Sequence, residues 1–193
     1  MVIFGDKRSG NCLKVKYTAD HLGQPYDWRD IDIMAGESRT ADYLGMNPQG
    51  QVPCIKLHDG QVIAQSNAII RYLAHGSALL PSDRLAQARV DEWLFWEQYS
   101  HEPYVAVCRF QMVYEGKSAD QRDPERVRRG ELALDHMECV LADQTWLAGE
   151  AVSIADIALL AYTRIAPEGG FDLVRRPALT RWIARCEEGL GIR

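Results

Sequence analysis

The chain of 193 residues carries a formal net charge of −5 and has a pI near 5.5, and 47% of its residues are hydrophobic, which is ordinary for a soluble globular protein. Its scattered lysines and arginines form no basic patch, so neither nucleic acid nor an anionic membrane is expected as a partner. The five cysteines are far apart and form no CxxC pair, which disfavours disulfides and a metal site, and the absence of a secretory or membrane-spanning pattern favours a cytoplasmic protein.

The first third of the chain alternates strand and helix patterns. The apolar run Val2–Phe4 predicts a short strand, and apolar residues at helical spacing predict a helix over 12–22, which Gly23 ends. An imperfect alternation over 25–33 predicts a second strand. A short helix is expected around 40–46, before a loop rich in Asn, Pro and Gly.

A hairpin is predicted next. An Asp-Gly pair at 59–60 separates strand patterns at 55–57 and 62–63, which is typical of a tight turn in which both central residues have positive φ. A helix follows over 65–76. The first 76 residues therefore predict the order β-α-β-α-β-β-α, in which an antiparallel hairpin closes a βαβ unit.

The remaining chain predicts helices only. We expect a linker over 77–86 between a first domain at 1–76 and an all-helical domain at 87–193. The long amphipathic pattern that begins the second domain should break at Pro103. Further helices are expected at 124–142, within 151–166 and at 177–190.

The segment VSIADI at 152–157 predicts the start of a helix. Ser153 has the character of an N-cap, and Asp156 stands at the position from which a side chain can reach back to the N–H of the cap. Val152 and Ile157 have the spacing of a hydrophobic staple. We expect this motif to serve folding and not chemistry.

The segments NPQGQVPCIKL and AQSNAIIRYLA together resemble the glutathione-binding half of the cytosolic glutathione transferases. The strand–loop–helix at 2–22, the linker near 80 and the segment WLAGEAVSIADIALLAY extend the resemblance over essentially the whole chain. It implies an α/β plus all-α architecture, a thioredoxin-like domain followed by an all-helical domain. It also implies glutathione as co-substrate without a metal, and assembly as a homodimer.

The resemblance implies that glutathione contacts Gln51 and Val52. In the family the peptide bond between Val52 and Pro53 is cis, and the residue before the proline pairs with the cysteinyl backbone like an added β-strand. A trans proline that protects an edge strand is the alternative. Gln51 would reach the glycyl end, where Arg39 is the candidate cation for the second carboxylate.

The resemblance also places the γ-glutamyl group at Gln65 and Ser66. Ser66 opens a helix, so its hydroxyl and N–H can hold a carboxylate, or the side chain can serve as a plain N-cap. Gln65 stands where many family members carry Glu to pair with the ammonium group. Because Gln65 is neutral, we expect a weaker contact there.

The first loop holds the candidates for thiol activation. In the serine-type branches of the family a Ser precedes a Cys by three residues, and Ser9 and Cys12 keep that spacing. The resemblance implies that Ser9, with Asn11 sharing or replacing it, stabilises the glutathione thiolate. Two alternatives stay open: Ser9 as a helix cap only, and Cys12 as a thiol that forms a mixed disulfide, although the apolar helical phase of Cys12 favours burial.

We therefore predict a glutathione transferase of a serine-type bacterial branch, which attacks an apolar electrophile in detoxification. Its acceptor site is expected between the domains, with candidates on the long helix: His101, Tyr104, Arg109 and Val113. Aromatic residues of that helix are alternatively core or dimer contacts. The competing functions are a glutathione-dependent peroxidase or thiol reductase, and a non-catalytic binding or regulatory module.

Overall fold

The computed structural model describes residues 1–192 and divides the chain into two compact units, Met1–Ser77 and Ala78 onward. The first unit combines a sheet with helices, and the second is helical. This architecture confirms the predicted fold class. Within residues 1–77 the elements are β1 (Val2–Gly5), α1 (Gly10–His21), β2 (Asp27–Asp30), α2 (Ala41–Met46), β3 (Cys54–Lys56), β4 (Val62–Ala64) and α3 (Ser66–Leu73).

The sheet of the first unit has the order β2-β1-β3-β4, with β2 parallel to β1 and β3 antiparallel to both of its neighbours. Phe4 near the end of β1 lies opposite Cys54 at the start of β3, and Cys54 lies opposite Ala64 at the end of β4. This register brings three connections to one end of the sheet. They are the β1–α1 loop, the segment before β3 and the junction between β4 and α3.

The hairpin between β3 and β4 forms as predicted, but the predicted turn type is wrong. Within residues 1–192 Gln65 is the sole non-glycine residue with positive φ, so Asp59 keeps a negative φ while Gly60 has φ of 87°. The N–H of Leu57 donates to the Gln61 carbonyl at 2.8 Å, and the N–H of Gly60 donates to the Leu57 carbonyl at 3.1 Å. The connection is therefore a three-residue loop closed by a left-handed glycine, which needs positive φ at one position instead of two.

The second unit contains, within residues 78–192, five α-helices and a π-helical segment. Pro103 directly follows the π-helical segment at 97–101, and the backbone stays helical from 84 to 113. The long pattern that was predicted to kink or break at Pro103 therefore continues, with one wide turn before the proline. No helix of the described residues combines the length and apolar character that crossing a bilayer requires. The elements are α4 (Arg84–Trp96), the π segment (Glu97–His101), α5 (Glu102–Val113), α6 (Pro124–Asp143), α7 (Ile154–Thr163) and α8 (Pro177–Leu190).

Helix α7 forms the centre of the second unit, since each of its residues is buried. It begins with the predicted capping box. The Asp156 carboxylate accepts the Ser153 N–H at 2.9 Å, and the Ser153 hydroxyl oxygen accepts the Ala155 N–H at 3.2 Å. Asp156 also accepts the Leu147 N–H at 3.0 Å and the Trp182 indole N–H at 2.9 Å. One buried carboxylate thus holds the start of α7, the preceding loop and α8 together.

Candidate functional site

The β1–α1 loop places Ser9 at the N-cap position of α1. Ser9 is 8% exposed, and its side chain hydrogen-bonds the Cys12 thiol. Cys12 itself is fully buried, and burial raises the pKa of its thiol to about 12 against the opposing effect of the Ser9 hydrogen bond. A Cβ atom added at Gly5 would approach the Cys12 Sγ to 2.9 Å, so the thiol is closely enclosed. This environment favours a structural thiol and disfavours a reductase that depends on Cys12.

Iodoacetamide at neutral pH is expected to alkylate Cys139 in the folded protein while Cys12 stays unmodified. Cys139 is exposed, whereas Cys12 is buried and mostly a neutral thiol, and the thiolate is the form that reacts. Peptide mass spectrometry against time measures both rates. Alkylation in urea is the control, since both cysteines should then react. Equal labelling rates in the folded protein would restore Cys12 as a reactive group.

A chain of polar contacts joins α1 to the start of α3. The Ser66 hydroxyl donates to the Asn11 Oδ1 at 2.9 Å. From α1, the Lys14 Nζ lies 3.5 Å from the Ser66 Oγ and 3.3 Å from the Asn67 Oδ1. Ser66 and Lys14 are buried and Asn11 is half-buried. The structure therefore brings together two predicted site residues, Asn11 and Ser66, which are 55 positions apart in the chain.

A second set of contacts joins the β4–α3 junction to the loop before β3. Gln65 adopts φ of 71° and ψ of 112°, a positive-φ conformation that is unfavourable for a residue with a side chain. Its amide donates to the Gln49 side-chain oxygen at 3.0 Å, and the Arg39 guanidinium donates to the Gln49 carbonyl at 3.0 Å. Gln65 and Arg39 are both exposed. Three separate segments thus meet at Gln49.

The loop that follows Gln49 has a fixed backbone. The Gln51 carbonyl accepts the Tyr43 hydroxyl at 2.8 Å and the Asn47 amide at 2.7 Å. The Val52–Pro53 peptide bond is cis, as the family resemblance implies. The Gln51 side chain is exposed, so it lies on the surface next to this bond.

Sequence reasoning missed Lys14 and Gln49. A signal for Lys14 was present, because it follows Asn11 by three positions and precedes Thr18 by four, a spacing that puts all three on one side of α1. Thr18 and Lys14 are both buried. Gln49 carried no comparable signal, since its contacts with Arg39 and Gln65 depend on how distant loops meet.

The four predicted acceptor residues lie in the second unit and contact different partners. Arg109 is 6% exposed, and its guanidinium pairs with Glu168 at 2.7–2.8 Å. His101 is fully buried, with its Nε2 3.0 Å from the hydroxyl of Thr163.

Tyr104 is half-buried, and its hydroxyl accepts a hydrogen bond from Arg129 at 2.8 Å. Val113 is half-buried at the end of α5. Since Arg109 and His101 have partners inside the helical unit, they are less available to a bound molecule than the sequence suggested. An acceptor role for the four residues stays a prediction.

The family models described as the N-terminal and C-terminal domains of glutathione S-transferase match residues 8–75 and 95–189. The two matches cover most of the chain in the expected order. The chain therefore belongs to the glutathione S-transferase family.

Solved and curated relatives agree with this assignment. The crystal structure of a glutathione S-transferase from Pseudomonas fluorescens has 47% identity, a TM-score of 0.93, and coverage of 96% of this chain and 94% of that one. Glutathione S-transferase theta-2 of Homo sapiens is 29% identical, covering 98% of this chain and 81% of its own. A structure described as Ure2p in complex with glutathione has 20% identity and a TM-score of 0.87, covers 98% of this chain and 90% of that chain, and shows the shared fold alone.

The chain is shorter than some of its curated relatives. It spans 63% of the length of the Ure2 protein of Eremothecium gossypii, with which it shares 27% identity over 93% of its own residues.

Proposed function

We propose that this protein is a glutathione transferase, which binds glutathione on its first unit, stabilises the thiolate and directs it at an electrophilic small molecule. The observation that carries the proposal is the 2.9 Å hydrogen bond between Ser66 and Asn11. It joins the residue at the predicted carboxylate end of glutathione to a residue at the predicted thiol end. The family resemblance further supports a homodimer, an apolar acceptor and a cytoplasmic detoxification role, which belong to the same proposal.

In this proposal α3 recognises the γ-glutamyl carboxylate through its first turn. The first N–H groups of a helix have no helical partner, and the helix dipole favours an anion there. The Ser66 hydroxyl proton is directed at Asn11, so the contact with the carboxylate falls to the backbone N–H groups of Ser66 and Asn67. Gln65, which precedes that turn and is exposed, would contact the γ-glutamyl amine through its side-chain oxygen, since its amide N–H donates to Gln49.

The cysteinyl and glycyl parts of glutathione extend along the segment before β3. Val52 would pair with the cysteinyl backbone as an added strand does, which supplies affinity through main-chain hydrogen bonds. Gln51 and Arg39 would take the glycyl carboxylate. Because Arg39 is exposed and already donates to the Gln49 carbonyl, its contribution is that of a screened surface charge.

Thiol activation needs a modest stabilisation of the anion. A thiol with a pKa of about 8.5 is only a few per cent ionised at neutral pH, and lowering its pKa to about 6.5 requires about 2.7 kcal/mol. One hydrogen bond to a charged acceptor contributes about 1.5–3 kcal/mol, and a helix N-terminus adds about 0.3–1 kcal/mol. The Asn11 amide, or the Ser9 hydroxyl, at the start of α1 can therefore supply this energy without a general base.

The pKa of glutathione bound to the wild-type protein is expected to fall from about 8.5 to about 6.5, because the site favours the anion. Thiolate absorbance in the ultraviolet against pH measures it. The bound S-methyl derivative, which has no ionisable thiol, is the control. Conjugation of chlorodinitrobenzene by the same preparation tests the reaction itself.

Two results would contradict the proposal in different ways. Saturable binding with an unshifted thiol pKa and no conjugation would indicate a binding module. A protein that does not bind glutathione would share only the fold of the family.

A further inference from the structure

Lys14 is a fully buried lysine in the first unit, and the chemistry proposed above does not use it. Lysine is among the residues that are least often buried, because removing an ammonium group from water is costly. Its Nζ lies at the start of α3, 3.5 Å from the Ser66 Oγ and 3.3 Å from the Asn67 Oδ1. The buried ammonium thus stands directly behind the turn that is proposed to bind the γ-glutamyl carboxylate.

The hydrogen bonds around Lys14 have a defined direction. An ammonium group can only donate, so the Ser66 and Asn67 oxygens both accept from it. The hydroxyl proton of Ser66 then points away from Lys14 and towards the Asn11 Oδ1. In this arrangement the Ser66 hydroxyl offers no proton to a ligand. An anion would therefore be attracted by the N–H groups of the first helical turn and by the positive charge of Lys14 behind them.

We propose that Lys14 is a specificity-determining residue that makes the site select the α-carboxylate of the γ-glutamyl group; this inference rests on the proposed function. The ammonium acts across Ser66 through the protein interior. Charges interact more strongly there than in water, because the surroundings screen them less. Lys14 is therefore a positioning residue for one carboxylate of glutathione, and it takes no part in the proton chemistry of the thiol.

The test combines enzyme variants with a ligand that lacks the carboxylate. Lys14→Gln removes the charge and keeps a hydrogen-bond donor, and Lys14→Met removes both. The ligands are glutathione and 4-aminobutyryl-cysteinylglycine, which retains the amine and the thiol but has no α-carboxylate. Lys16→Gln is the matched control, because Lys16 is two positions along the same helix and pairs with Asp20 at the surface.

We expect both Lys14 variants to raise the KM for glutathione about tenfold to a hundredfold while kcat changes less than about twofold. Towards the analogue, wild type and variants should bind within about twofold of each other, because the group that Lys14 recognises is missing. The Lys16→Gln protein should match the wild type with both ligands.

An equal loss with both ligands in Lys14→Gln would overturn the inference and make Lys14 a support of the fold. Unchanged affinity for glutathione in that variant would overturn it as well. If Lys14→Met does not fold, the result with Lys14→Gln decides whether the inference holds, since glutamine keeps a long side chain and a hydrogen-bond donor. Binding of glutathione by the wild type tests the proposed function separately, whatever the variants do.

Discussion

The Asp156→Ala variant is expected to lose about 3–5 kcal/mol of its free energy of unfolding. The carboxylate is fully buried and accepts hydrogen bonds from the backbone N–H groups of Leu147 and Ser153 and from the Trp182 indole. Each buried donor that is left without an acceptor costs about 1–3 kcal/mol. Urea unfolding followed by far-ultraviolet circular dichroism measures the loss.

Two further variants test the cause of that loss. Asp156→Asn keeps one acceptor oxygen and should lose about half as much. Asp143→Ala, at an exposed position at the end of α6, should stay within about 0.5 kcal/mol of the wild type. A loss of less than about 1 kcal/mol in Asp156→Ala would mean that the donors to Asp156 find other partners.

Asn11→Ala is expected to raise the pKa of the bound glutathione thiol by about one to two units and to lower kcat/KM below neutral pH about tenfold to a hundredfold. Asn11 is half-buried, and its Oδ1 accepts a hydrogen bond from Ser66. Its Nδ2 group is therefore the part of the side chain that can donate to the thiolate. Ser9 is more buried, and its hydroxyl hydrogen-bonds the Cys12 thiol. Thiolate absorbance against pH measures the shift.

Ser9→Ala is the comparison variant, and we expect its pKa shift to be less than half a unit, roughly threefold in ionisation at most. Asn11→Asp should shift the pKa further upward than Asn11→Ala, because a carboxylate repels the thiolate. A larger shift in Ser9→Ala than in Asn11→Ala would assign the thiolate donor to Ser9. An unchanged thiol pKa in both variants would indicate that the backbone at the start of α1 stabilises the thiolate.

Local sequence signals predicted the features that depend on neighbouring residues. The capping box involves Ser153 and Asp156, which are three positions apart, so their spacing determines the outcome. The predicted type of the turn at Gly60 was wrong because an Asp-Gly pair fits more than one loop length. The loop length depends on which two residues of the strands form the last hydrogen-bonded pair before the loop.

Contacts between distant segments could not be predicted from such local sequence signals. The bond from Trp182 to Asp156 joins residues 26 positions apart, and the approach of Lys14 to Ser66 spans 52. Arg109 was predicted as an acceptor-site residue, and its pairing with Glu168, 59 positions away, had no signal in the spacing of residues. Such pairings depend on the register of whole helices, which residue spacing does not define.

The π-helical segment after α4 marks a place where the length of the chain can vary by one residue. The N–H of Glu102 donates to the Glu97 carbonyl, five residues back, so this turn holds one residue more than an α-helical turn does. Deleting one residue there would convert the wide turn into a regular α-helical turn and keep the orientation of α5, whereas deleting one residue early in α5 would rotate the rest of that helix by about 100°. After such a deletion in α5 Cys108 would take the position of Val107, which is only half-buried. Natural variants of this protein should therefore tolerate the loss of one residue within 97–101 better than the loss of one residue within the regular turns of α5.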